Sequence, residues 1–289
     1  MSTRLDERSG VISVWRPAGL RQLELHRGVA VHRPVPRHWH EEFQLCLVED
    51  GEGDLTYRGA RHLTPPASLF IVHPGEIHAN SSFHRTGCSY RTLFVETEVL
   101  RGVAAEMCGR DRGVPFFPST MIFAPDVIAR FVRLHIALEE PASLLERETL
   151  LQSFSTDLLA RFGEHRTDLE AATPGRASVA RAREYLAENY AENVSLRELA
   201  RLANLSPFHF SRLFSEQCGM PPHAFQNQVR VTRAKELLVA GDAVARVAAQ
   251  TGFADQSHLT RQFKRLTGIT PGLYQQSSKN VQDASHAPR

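Results

Sequence analysis

The chain contains no uninterrupted apolar run of eighteen residues, so no helical membrane span is expected from it. Its first ten residues, MSTRLDERSG, mix both charges and lack an apolar stretch, and they do not read as a secretion signal. Cysteine is scarce: Cys46, Cys88, Cys108 and Cys218 are scattered over 289 residues without a paired-thiolate motif. That argues against a disulfide framework and suits a reducing, cytoplasmic setting. Lysine is scarcer still, and all three (Lys235, Lys264 and Lys279) lie in the C-terminal part. The remainder is ordinary, with 42% hydrophobic and 23% charged residues, and is long enough for two domains with separate cores.

The overall charge of +2 hides an asymmetry. Residues 176–289 hold fifteen basic and nine acidic residues, whereas residues 1–175 hold 19 basic and 23 acidic ones. A basic segment joined to a mildly acidic one points to a polyanion at one end of the molecule.

The hydrophobic pattern also divides the chain. From about residue 20 to 98, short apolar runs (Phe43 to Val48, Leu69 to Val72, Tyr90 to Val95) alternate with turn clusters such as Glu49-Asp50-Gly51-Glu52-Gly53 and Pro74-Gly75. Many short strands at close spacing predict a small barrel or sandwich. From Pro125 the period becomes helical, first through Val127, Phe131, Leu134 and Leu138, then through Leu144, Leu151, Phe154, Leu158 and Phe162. These two helices are expected to cover the barrel or to pair protomers. Residues 163–178 are polar, contain Pro174-Gly175, and read as a linker with a turn. The expected division is therefore 1–162, linker 163–178, and an all-α region 179–278, an α+β multidomain chain.

The all-α region carries one pattern twice. Leu196, Leu199, Ala200 and Leu205 recur 48 positions later as Val244, Val247, Ala248 and Phe253; Phe210, Arg212, Phe214, Gly219 and Pro222 recur 49 positions later as Leu259, Arg261, Phe263, Gly268 and Pro271. In the first copy Ser195 and Glu198 make a capping box, Asn204-Leu205 a turn, and Ser206-Pro207 the start of a second helix. In the second copy Gly252 makes the turn and Asp255 caps the helix. Each copy thus reads as a helix-turn-helix unit whose second helix buries aromatic or aliphatic anchors and leaves its N-terminal half outside. The residues left outside are Phe208, His209, Ser211 and Arg212 in one copy and Gln256, Ser257, Thr260 and Arg261 in the other, with Lys264 and Arg265 behind them. Glutamine suits adenine, arginine suits guanine or phosphate, and phenylalanine suits a thymine methyl.

With Gly252-Phe253, Ser257 to Lys264, Gly268-Ile269-Thr270-Pro271 and Tyr274, the chain closely resembles the AraC/XylS family of bacterial transcription regulators. The resemblance covers about Ala180 to Gln275. It implies two helix-turn-helix modules bridged by a long helix from about Pro222 to Val239, with the exposed residues above facing double-stranded DNA. It also implies RNA polymerase as a partner, homodimers, and an activator in the cytoplasm, with no membrane and no catalytic group.

The N-terminal part holds His38, His40, Glu42 and Gln44, then His73-Pro74-Gly75-Glu76-Ile77-His78. On a strand, His38, His40, Gln44 and Cys46 share a face. This resembles the paired motifs of the cupin barrel. In metal cupins His38, His40 and His78 would be ligands, but the carboxylate position falls at Gln44 or Leu45. His38, His40, Gln44 and His78 are accordingly expected to line the site of a small-molecule effector, with no metal or other cofactor, and an N-terminal arm bearing Trp15 and Pro17 to act as a lid. Two alternatives stand beside this reading: a metal-dependent cupin enzyme fused to a DNA-binding domain, and a regulator controlled by a partner protein.

Overall fold

A computed structural model describes residues 10–82, 87–140, 142–164 and 174–283. The chain divides into two compact units. One comprises residues 1–34, 39–167 and 276–289; the other comprises 168–275 with the short segment 35–38, whose backbone is nonetheless hydrogen-bonded as a strand of a sheet in the first.

The first unit is built on two sheets. Strands β1 (Val11–Trp15), β2 (Leu23–Val31), β4 (Phe43–Asp50), β7 (Ser68–Val72), β9 (Cys88–Val95) and β10 (Met121–Ile122) form a six-stranded sheet in the order β1-β2-β9-β4-β7-β10. Strands β3 (Val35–His38), β5 (Gly53–Tyr57), β6 (Ala60–Thr64) and β8 (His78–Ser82) form the second, in the order β3-β8-β5-β6. Because side chains alternate along a strand, β4 supplies both faces of its sheet. Phe43, Leu45 and Leu47 join the core beneath helices α1 (Thr97–Cys108), α2 (Pro125–Glu139) and α3 (Leu144–Phe162), where Phe131, Leu134, Phe154 and Leu158 are buried. Cys46 and Val48 turn the other way and pack with Leu55, Tyr57, Phe70 and Val72 between the sheets.

Three local readings change. Residues 11–15 pair antiparallel with β2, and Trp15 packs edge-on against buried His135 of α2 on the helix-covered side. A paired edge strand with its indole turned to the helices is not a lid over the space between the sheets. Helix α1 was hidden because Thr97–Cys108 follows directly on a strand without a side-chain cap. Helix α4 (Pro174–Glu188) begins inside the expected linker, at Pro174 itself. Proline fits the first turn of a helix, where its missing N–H has no intrahelical acceptor, so Pro174-Gly175 starts a helix instead of making a turn.

The second unit is all helical: α4, α5 (Leu196–Leu202), α6 (Pro207–Cys218), α7 (Pro222–Val239), α8 (Val244–Gln250), α9 (Gln256–Thr267) and the start of α10 (Pro271–Asp283). Helix α7 has the bounds expected of the bridge. Arg230 fixes it by donating to the Tyr190 carbonyl at 2.7 Å and the Glu192 carbonyl at 3.0 Å, while its guanidinium lies 5.8 Å from the Phe253 ring centroid. One side chain therefore ties the entry to α5 to the turn of the second copy.

Candidate nucleic-acid interface and barrel site

The two copies repeat at the level of single hydrogen bonds. Asn204 and Gly252 both adopt positive φ, 54° and 75°. The following N–H reaches back to the carbonyl five residues earlier in each copy, Leu205 to Ala200 at 2.9 Å and Phe253 to Ala248 at 3.0 Å. This is the Schellman closure, which satisfies carbonyls that a helix end otherwise strands. Next, the Ser206 side chain accepts from the His209 N–H and the Asp255 side chain from the His258 N–H, starting α6 and α9. Phe210 and Phe214 of α6, like Leu259 and Phe263 of α9, are fully buried.

With those anchors fixed, the opposite faces are set. Phe208 is 81% exposed, a large value for an aromatic ring. His209 and Arg212 are exposed and Ser211 is half-buried. In α9 Gln256, Ser257, Arg261, Lys264 and Arg265 are exposed; Thr260 is half-buried, and its hydroxyl donates to the Gln256 carbonyl at 2.8 Å. The Arg212–Glu216 pair at 3.6 Å is solvated on both sides and leaves the guanidinium able to exchange partners. Lys264 and Arg265 occupy the last turn of α9, where cations complement the helix dipole.

In the sheet unit, one ring nitrogen from each of His38, His40 and His78 lies within 4.8 Å of the others. His78 is fully buried and its ring centroid is 4.8 Å from that of His40. His40 also packs edge-on to Phe94 at 5.1 Å and faces the Gln44 amide oxygen at 3.0 Å. The loop carrying the second motif is tied to the first through the Gly75 N–H, which donates to the His40 carbonyl at 2.7 Å. All four expected residues therefore sit together. His73 does not join them. Its Nδ1 meets the Tyr57 hydroxyl at 2.9 Å and its Nε2 accepts from the Phe117 N–H at 2.8 Å, so it braces the loop.

Sequence reasoning missed the neighbouring polar row. Glu24 is buried, bonded to Arg16 at 2.9 Å and to His26 at 2.9 Å, and the His26 ring packs on Phe94. Strand register sets Glu24 and Gln44 on either side of Phe94. The signal was present: within LELHRGVAV, Glu24 and His26 are polar at i and i+2 on a strand whose neighbours Leu23 and Leu25 are buried. Cys46 is different. Burial pushes its thiol far above the ordinary range, so it is an inert core residue and not a reactive thiolate.

Comparison with known proteins agrees with this division. Residues 25–155 match the AraC-like ligand binding domain and residues 199–277 match a helix-turn-helix domain. The chain is 29% identical over 237 residues to the HTH-type transcriptional regulator YbfI of Bacillus subtilis, spanning 82% of this chain and 86% of that protein. It is 24% identical over 249 residues to the HTH-type transcriptional activator RhaS of Salmonella schwarzengrund, with the same coverage, 82% and 86%. Among solved structures, apo ToxT from Vibrio cholerae aligns over 95% of this chain and 99% of its own, with TM-score 0.56 at 11% identity. At that identity the likeness speaks for the fold. A sheet unit of ligand-binding type joined to a tandem helix-turn-helix unit defines a DNA-binding transcription regulator. The chain belongs to the AraC/XylS family. None of its described helices is long and apolar enough to cross a membrane.

Proposed function

We propose that the protein is a cytoplasmic, sequence-specific transcription activator that works as a homodimer and responds to a small molecule held between its sheets. The observation that carries this reading is the pair of matched, capped helices α6 and α9, each anchored by buried residues and each leaving a polar or aromatic face outside. In this reading Phe208, His209, Ser211 and Arg212 of α6 and Gln256, Ser257, Thr260 and Arg261 of α9 face base edges. Lys264 and Arg265 hold phosphates. His38, His40, Gln44 and His78 contact the effector. An activator must also meet RNA polymerase, and the effector acts by favouring one arrangement of the dimer over another.

Selection of bound sequences from a random double-stranded pool tests the reading. The expected product is an asymmetric site with two major-groove contacts about one helical turn, roughly 34 Å, apart. Arg261→Ala is expected to relax choice at one position, costing about 1–3 kcal/mol of discrimination. Equal loss of affinity for selected and random DNA would reduce Arg261 to a phosphate contact, and no enrichment at all would overturn sequence-specific binding.

A further inference from the structure

The three clustered histidines share a feature that an organic-effector pocket does not require. His38 Nδ1 lies 2.8 Å from the Pro36 carbonyl, His40 Nδ1 2.7 Å from the Glu42 carbonyl, and His78 Nδ1 3.2 Å from the Glu76 carbonyl. A carbonyl only accepts, so in each neutral ring the proton sits on Nδ1 and the lone pair on Nε2. Three backbone contacts, each spanning two residues, thus fix three imidazoles in one tautomer. This is the outer-shell arrangement that orients histidine toward a metal.

From this we infer that His38, His40 and His78 bind one divalent transition-metal ion through their Nε2 atoms, with the Gln44 amide oxygen beside them. The inference rests on the reading of the space between the sheets as a ligand site and names what occupies it.

The donor chemistry fits. Neutral imidazoles suit zinc, nickel, copper and iron rather than magnesium or calcium. Zinc–nitrogen bonds of about 2.0–2.1 Å put tetrahedral ligands roughly 3.3 Å apart. Ring nitrogens already within 4.8 Å of one another reach that spacing by side-chain rotation. The Gln44 oxygen adds a second argument, because it faces His40 Nε2 at 3.0 Å. With the proton on Nδ1 these are two acceptors turned toward each other, an arrangement that a shared cation satisfies. The alternatives are a turned amide or a second proton on His40, and neither accounts for the matching contacts at His38 and His78. Three neutral imidazoles and an amide leave the ion's charge uncompensated, so a metal held here draws an anionic ligand to any open position.

The test uses the full-length protein, stripped with chelator and titrated with cobalt(II), whose visible absorption reports low-coordinate sites. The expected result is saturation at one equivalent, with competition by zinc. His40→Ala and His78→Ala should each weaken binding by at least about tenfold. Gln44→Glu keeps the strand and supplies a carboxylate; it should bind more tightly than the parent, which keeps the test decisive if an alanine variant unfolds. Absence of cobalt bands, or equal affinity in all four proteins, overturns the metal site. An organic compound that binds the stripped protein and is lost in His40→Ala overturns it too, while leaving the sensing reading intact. Stoichiometric metal without any change in DNA occupancy supports the site and removes that ion as the effector.

Discussion

Gly252 and Asn204 solve the same backbone problem with different side chains. Both lie at positive φ, where a Cβ is costly, and asparagine tolerates that region better than other non-glycine residues. A Cβ built on Gly252 would stand 2.3 Å from the Ala191 carbonyl oxygen, a contact that backbone cannot relieve by rotating a side chain. Gly252→Ala is therefore expected to destabilise the helical unit by about 1–3 kcal/mol, whereas Asn204→Gly should change stability by less than about 0.5 kcal/mol. Chemical denaturation of the two variants checks the contrast; equal effects would mean that φ alone, and not the approach to Ala191, decides the glycine. These turns were legible in the sequence because their chemistry is local. The Nδ1 locks of His38, His40 and His78 were not, since a backbone carbonyl two residues away carries no side-chain signature. Nor was Glu24, whose partners Arg16 and His26 are chosen by strand pairing.

At the scale of elements, the two copies are capped unequally. Helix α5 starts with a full capping box from Ser195 and Glu198, whereas α8 starts at Ala243 with no side-chain cap. Ala243→Ser is expected to stabilise the helical unit by about 0.5–1 kcal/mol, and Asp255→Ala, which uncaps α9, to cost about 1 kcal/mol; shifts in the denaturation midpoint measure both. Helix α2 makes a different prediction. Its His135 is fully buried, beside Arg91 Nη1 at 3.2 Å. Burial first, and the Arg91 charge second, lower its pKa to about 3. The unfolded chain takes up this proton near pH 6.5 and the folded one only near pH 3, so the unfolded state binds more protons between those values. The contribution is intact above pH 6.5 and is lost as pH falls below it, at no more than about 1.4 kcal/mol per pH unit. His135→Gln should therefore be less stable than the parent at pH 7, with the gap narrowing by pH 5. A gap independent of pH would remove His135 from the acid response. The helix itself was visible in its 3.6-residue period, but its buried histidine depends on β9, which brings Arg91 from 44 residues away.

At the scale of the molecule, basic charge and base-reading side chains are separable. The C-terminal region carries fifteen basic against nine acidic residues, and phosphate neutralisation makes affinity fall with salt by about 0.9 logarithmic units per contact. Lys264 and Arg265 lie at the C-terminal end of α9, away from the N-terminal half that bears Gln256 and Ser257. If the first pair holds phosphates and the second reads bases, the variants should part in two dimensions. Lys264→Ala and Arg265→Ala should each lower affinity for selected and random DNA alike and reduce the salt slope by about 1. Gln256→Ala should leave the slope unchanged and lose affinity only for the selected sequence. Binding isotherms on both DNAs across a salt series measure this directly. A loss of slope in Gln256→Ala would exchange the assigned roles, and unchanged slopes in both Lys264→Ala and Arg265→Ala would move the phosphate contacts to the remaining basic residues, among them Arg197, Arg201 and Arg246 on the first helices of the two copies.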